Sequence, residues 1–194
     1  NDKGKSLKYT KGELVCKNPF PTMPLKFWND KNDDKFKDAY FNRFSNIWHH
    51  GDFAEIKKTR GFIIHGRSDT TLNPGGVRLG TAEIYSEVEK FDEIKESIVV
   101  GQSWDNDIRI ILFIVMNSKF LLTEDLLKKI KIQIKKNASP RHVPSKVIVV
   151  KDIPRTKSGK IVELAVKNTI EGNNIKNKEA LANPKALEQF KNLK

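Results

Sequence analysis

The stretches I-K-E-S-I-V-V-G (residues 94–101) and I-R-I-I-L-F-I-V-M (residues 108–116) decide the fold. Both are dense in β-branched residues and have strand length, and the second is apolar almost throughout, as a strand buried on both faces must be. Upstream, Thr81 is a candidate N-cap for a helix whose Ile84, Val88 and Phe91 fall on one face. Downstream, Thr123-Glu124-Asp125 opens a second helix, with acids in its first turn and Lys135-Lys136 in its last, as the helix dipole favours. Leu126, Leu127, Ile130 and Ile134 give it an apolar stripe. Residues 147–150 read as another strand and residues 161–170 as a final helix with Leu164 and Ala165 inward. The order helix, strand, strand, helix, strand, helix predicts a compact α+β domain of about a hundred residues, an ordinary domain size.

The chain ahead of Gly80 has a different texture. Residues 12–16 read as a short strand ended by Asn18-Pro19 and Pro21. Phe36, Tyr40, Phe41 and Phe44 recur at near-helical spacing, which predicts a surface helix with one aromatic face. Residues 47–67 read as two strands around the turn Lys57-Lys58-Thr59-Arg60-Gly61. Residues 68–80, with Asn73-Pro74-Gly75-Gly76 and Gly80, must be turns. Past Gly172 the chain is polar, with a short helical piece after Pro184. The expected division is a β-rich piece over 1–67, a small domain over 68–171 and a polar tail over 172–194.

Of the 194 residues, 38% are hydrophobic and 31% charged, the balance of a soluble globular protein. No apolar run approaches the length that crosses a bilayer. The first residues are not a signal peptide and lack an initiator Met, which suggests a fragment of a longer protein. The single cysteine, Cys16, excludes an internal disulfide and a cysteine-based zinc site and suits a reducing cytoplasm. The net charge is +12, and the stretch 119–178 carries most of it. Such a balance fits nucleic acid, a membrane surface or phosphate-bearing small molecules. The basic residues sit on amphipathic helices without interleaved aromatics, which weighs against single-stranded nucleic acid.

Four clusters at turns can carry chemistry. In Trp48-His49-His50-Gly51-Asp52, Asp52 follows a glycine at a strand end, where a carboxylate can accept two hydrogen bonds from the adjacent hydroxyls of a ribose. An ordinary Asx turn would look the same. In Gly66-Arg67-Ser68-Asp69, Arg67 is a positive fork for oxygen-rich ligands, and Asp69 stands where two structural blocks meet and can serve as a hinge. In Asn73-Pro74-Gly75-Gly76-Val77-Arg78, the glycine pair lets backbone approach a ligand and Arg78 adds positive charge. The fourth, Pro154-Arg155-Thr156-Lys157-Ser158-Gly159-Lys160, looks like a phosphate loop but lacks its first glycine and its final Ser or Thr. What remains is a loop that presents Lys160 ahead of a helix. The four histidines share no metal-ligand spacing, so no metal site is expected.

In this order and spacing the four clusters resemble the closing motifs of the adenylate-forming superfamily, which includes acyl-CoA synthetases, luciferases and the adenylation domains of peptide synthetases. The likeness runs from Gly12 to Ile170. Residues 72–85, the run Ser139-Pro140-Arg141-His142-Val143-Pro144 and Glu179-Ala180-Leu181-Ala182-Asn183-Pro184 resemble the acetoacetyl-CoA synthetase branch in particular. The resemblance implies a mobile C-terminal domain behind a β-rich end of a large domain. It implies an AMP-forming acid–CoA ligase that acts on a small-molecule acid, Mg2+-bound ATP and coenzyme A. Asp52, Arg67 and Arg78 would bind nucleotide, Asp69 would be the hinge, Gly75, Gly76 and Lys131 would meet coenzyme A, and Lys160 would serve adenylation. Acetyl- or propionyl-CoA synthesis and a basic nucleic-acid-binding module stay open as alternatives, and nothing fixes oligomeric state. The 194 residues alone are expected to be inactive.

Overall fold

A computed structural model describes residues 1–175 and 177–191. The chain divides into two compact units, 1–69 and 70–194.

The first unit is built on an antiparallel three-stranded sheet in the order β1 (Lys11–Cys16), β2 (Trp48–Ile56), β3 (Phe62–Arg67). The β2–β3 turn closes where the Lys57 amide donates to the Gly61 carbonyl at 2.9 Å. Helix α1 (Asp34–Tyr40) is short, and Phe36 and Tyr40 face Trp48 from it. Tyr40 stacks on the indole at 3.7 Å between centroids, while Phe20 and Phe41 meet it edge-on. The aromatic spacing thus marks a cluster that closes one side of the sheet. β3 leaves Phe62, Ile63 and Ile64 exposed.

The second unit contains α2 (Thr81–Val88), β4 (Ile94–Trp104), β5 (Asp107–Met116), α3 (Glu124–Asn137), β6 (Lys146–Val149) and α4 (Glu163–Ile170). Its sheet runs β4-β5-β6, antiparallel then parallel. Asp105 and Asn106, both with positive φ, make the two-residue connection between β4 and β5, the turn whose twist matches paired strands. Alternate strand residues feed two cores. Val99, Ile110, Leu112 and Ile114 pack with Ile84, Val88, Leu126, Ile130 and Ile134 of α2 and α3. Ile98, Val100, Ile111 and Phe113 face the other way, onto Ile153, Val166, Leu181, Leu187 and Phe190.

Three local readings need correction. Gly80, not Thr81, is the N-cap of α2, and the Glu83 carboxylate accepts the Gly80 amide at 3.2 Å. Helix α4 begins at Glu163 rather than at Ile161, and it buries Val166 and Thr169 while Leu164 is exposed. The polar tail sends Leu181, Leu187 and Phe190 into the second core.

Two polar contacts tie these layers together. The Tyr85 hydroxyl on α2 donates to Glu163 at 2.5 Å and accepts the Val99 amide of β4 at 3.0 Å. Burial and the neighbouring Glu163 charge push this phenol well above its usual pKa. Glu87 is buried where α2 meets α3 and accepts from Asn137 at 2.8 Å and from Lys90 at 2.7 Å. Those bonds, Asn137 foremost, hold its carboxyl below the usual range. A carboxyl with a depressed folded-state pKa stabilises the fold above its unfolded value of about 4.3, and the contribution fades as pH falls through the lower folded value. Glu87→Gln should therefore melt at a lower temperature than the parent at pH 7. Thermal melts of the two proteins should converge as the pH drops below about 4.

Candidate active site

In the first unit the register of the β2–β3 ladder sets Asp52 opposite Arg67. The Arg67 guanidinium lies 3.5 Å from the Asp52 carboxylate and 3.4 Å from that of Asp69, and it donates to the His50 carbonyl at 3.3 Å. His50 Nδ1 is 2.7 Å from the second Asp52 oxygen. Asp52, Arg67 and Asp69 are thus one cluster: a cation holds two carboxylates in place while Asp52 stays half-buried at the sheet's end. Gly51 is required here, because a Cβ on it would meet the Arg67 guanidinium at 2.7 Å and its φ is +85°. The histidines serve carboxylates: His49 Nε2 lies 3.1 Å from Glu13. Ser68 also donates to Glu13, which ties the chain leaving β3 back to β1 just before the unit boundary at Asp69.

In the second unit the glycine turn is closed by paired bonds between Leu72 and Leu79, at 2.9 and 2.8 Å. Gly75 and Gly76 both have positive φ and are exposed, so the turn offers bare backbone that a side chain would distort. The Gly75 amide donates to both carboxylate oxygens of Asp107, at 2.9 and 3.0 Å. The amides of Ile108 and Gly75 keep the Asp107 carboxyl below its usual pKa, so it holds the turn as an anion. The Arg141 guanidinium stands beside Gly75, and Arg78 is half-buried at the turn's exit. Lys131 lies on α3, where it lines a shallow hollow with Lys128, Lys135 and Val143. Asp107 and Arg141 are additions to the sequence reading. Asp107 is 32 residues from its partner and carries no local signature.

Lys160 sits on a tight loop of its own. Arg155 bridges Ile161, the Thr156 amide donates to the Lys160 carbonyl at 2.9 Å, and the Lys160 amide donates to Thr156 Oγ1 at 3.0 Å. Gly159 takes the positive φ that the reversal needs. The Lys160 side chain is exposed. Behind it the Arg155 guanidinium donates to the Gly159 carbonyl at 2.9 Å and pairs with Glu96 at 3.1 Å.

The fold keeps the lysine loop and the glycine turn apart. Arg155 anchors the first at Glu96, near the start of β4, while Asp107 anchors the second opposite Trp104, at its end. Glu96 and Trp104 are eight steps apart along β4, roughly 26 Å at about 3.3 Å per residue. Residues 83–160 match the family model of the AMP-binding enzyme C-terminal domain. The whole chain is 58% identical to the acetoacetyl-coenzyme A synthetase of Rhizobium meliloti (strain 1021) and 46% identical to that of Xenopus tropicalis.

The chain carries an AMP-binding enzyme C-terminal domain.

It spans about 30% of the length of the curated relatives it matches. Among solved structures, acetoacetyl-CoA synthetase from Streptomyces lividans superposes with a TM-score of 0.91 at 38% identity, covering 98% of this chain and 29% of that one. The anthranilate CoA ligase AuaEII shares the fold at 22% identity and a TM-score of 0.72, covering 83% of this chain and 30% of its own.

Proposed function

We propose that this chain is the C-terminal part of an ATP-dependent ligase that converts acetoacetate, ATP and CoA to acetoacetyl-CoA, AMP and diphosphate through an acyl-adenylate. The observation that supports this reading is the placement of the lysine loop and the glycine turn at opposite ends of one small sheet. A reaction in two half-steps can use each end in turn if the domain pivots, and Asp69, the last residue of the first unit, is the proposed pivot.

In the first half-step the acid's carboxylate attacks the α-phosphate of ATP, the bond to the β-phosphate oxygen breaks and diphosphate leaves; Mg2+ would accompany the ATP as part of the substrate. Two anions must meet, and the Lys160 ammonium, held out on its loop, offsets the charge that builds between them. Asp52 accepts the ribose hydroxyls, Arg67 fixes Asp52 and contacts the nucleotide, and Arg78 meets phosphate oxygens. In the second half-step the thiol of CoA attacks the acyl carbon and AMP leaves. Gly75 and Gly76 line the pantetheine path with bare backbone, and Lys131, with its neighbours on α3, meets the phosphates of CoA. The acyl pocket and the adenine and β/γ-phosphate contacts belong to the remaining length of the protein. The choice of acetoacetate rests on the likeness to acetoacetyl-CoA synthetases along the whole chain.

Acid-dependent pyrophosphate exchange in the full-length enzyme tests the proposal. Exchange should run with acetoacetate and weakly with acetate or propionate. Exchange with acetate alone overturns the acid assignment, and tight, salt-sensitive binding of DNA or RNA without any exchange overturns the ligase reading.

A further inference from the structure

We infer that residues 180–183 brace the Lys160 loop and that Asn183 is a positioning residue for adenylation, an inference that rests on the role proposed above for Lys160. Segment 155–157 does not stand alone. The Lys157 amide donates to the Ala180 carbonyl at 3.0 Å, the Ala182 amide donates to the Arg155 carbonyl at 2.8 Å, and Thr156 bridges Leu181. This is a short antiparallel pairing between the lysine loop and a segment more than twenty residues further on. Asn183 finishes it. Its Oδ1 accepts the Arg155 amide at 2.8 Å, and its Nδ2 donates to Asp152 Oδ2 at 2.6 Å and to the Ile153 carbonyl at 2.9 Å.

The geometry tells what this pairing does. Among the described residues, the Lys160 backbone is held by Thr156, its amide donating to Thr156 Oγ1 and its carbonyl accepting the Thr156 amide. Thr156 lies between Arg155 and Lys157, the two residues whose backbones are fixed to 180–183. The position of the Lys160 backbone, from which the ammonium extends, is therefore set from behind by this segment on one side and by the Arg155–Glu96 pair on the other. Leu181, just inside the segment, is buried in the second core with Leu187 and Phe190, so the brace is rooted in the domain and moves with it. A cation that must stand between two approaching anions loses most of its effect when displaced by an ångström, a misplacement that can cost about a hundredfold in rate.

The test uses the full-length enzyme and measures both half-reactions. Asn183→Ala removes three side-chain hydrogen bonds and leaves the core residues in place. It should lower the adenylation kcat about ten- to hundredfold with little change in KM for ATP, and leave thioester formation from supplied acyl-adenylate at the parent rate. Ala182→Pro removes the amide that bonds Arg155 and should show the same selectivity; it carries the test if Asn183→Ala does not fold. Equal loss in both half-reactions, or no loss in adenylation, overturns the brace. Lys160→Ala is run beside them. If it abolishes adenylation while the brace variants do not, only the brace fails. If it leaves adenylation intact, the Lys160 assignment fails and the brace with it.

Discussion

Replacing Lys160 with alanine should lower acyl-adenylate formation by about 10²–10³-fold, the usual cost of deleting one preorganised donor aimed at developing charge. The effect should fall on kcat, because the ammonium matters most when carboxylate and α-phosphate close on each other. Among the described residues no hydrogen bond or ion pair engages the Lys160 side chain, and its loop is held by backbone and by Arg155. The fold should therefore be indifferent to the change, with a melting temperature that does not move. Arginine should rescue poorly, since a planar fork is a different shape from a compact ammonium. Pyrophosphate exchange and a thermal melt on the same preparation check both halves of this expectation.

Phe190→Ala should destabilise the second unit by about 3–5 kcal/mol, the range for emptying a buried aromatic site. Phe190 is fully buried and meets Phe113, at the centre of β5, edge to face with 4.8 Å between centroids. Against a typical domain stability of about 5–15 kcal/mol that is a large share. Urea titration should show a lower midpoint with an unchanged slope. A shift of only a few tenths of a kcal/mol would mean that the tail peels from the domain at little cost and is no part of its core.

That second prediction marks the place where composition misled. Past Gly172 the chain is mostly Asn, Lys and Glu, and Leu181, Leu187 and Phe190 are spaced too irregularly to show a period. They are core residues because an extended segment and a short 310 turn, rather than a regular helix, lay them against the sheet. The central strands were legible for the opposite reason. Ile108 to Met116 leaves no polar face, and only a strand covered by helices on both sides tolerates that. Helix α4 lay between these cases. Its extent was legible to within two residues, but the inward face was not: Leu164 is exposed while Val166 and Thr169 are buried. Thr169 can face inward because its hydroxyl bonds the Ala165 carbonyl at 2.8 Å.

The site divides along the same line. Asp52, Arg67, Gly75, Gly76 and Lys160 could be picked out because turns and glycines advertise themselves locally. What fixes them in place could not. Asp107 under Gly75 and Asn183 behind Arg155 act across 32 and 28 residues, and such partners become visible only once the sheet has formed. Arg155 was in view as part of the lysine motif, but its bond to Glu96 depends on where β4 starts.

The most direct test of the role of Lys160 is the ratio of the two half-reactions in full-length Lys160→Ala. Acyl-adenylate formation should fall by at least about a hundredfold while thioester formation from supplied acetoacetyl-adenylate and CoA stays within about twofold of the parent enzyme. A proportionate loss in both half-reactions, or adenylation at the parent rate, would contradict that role.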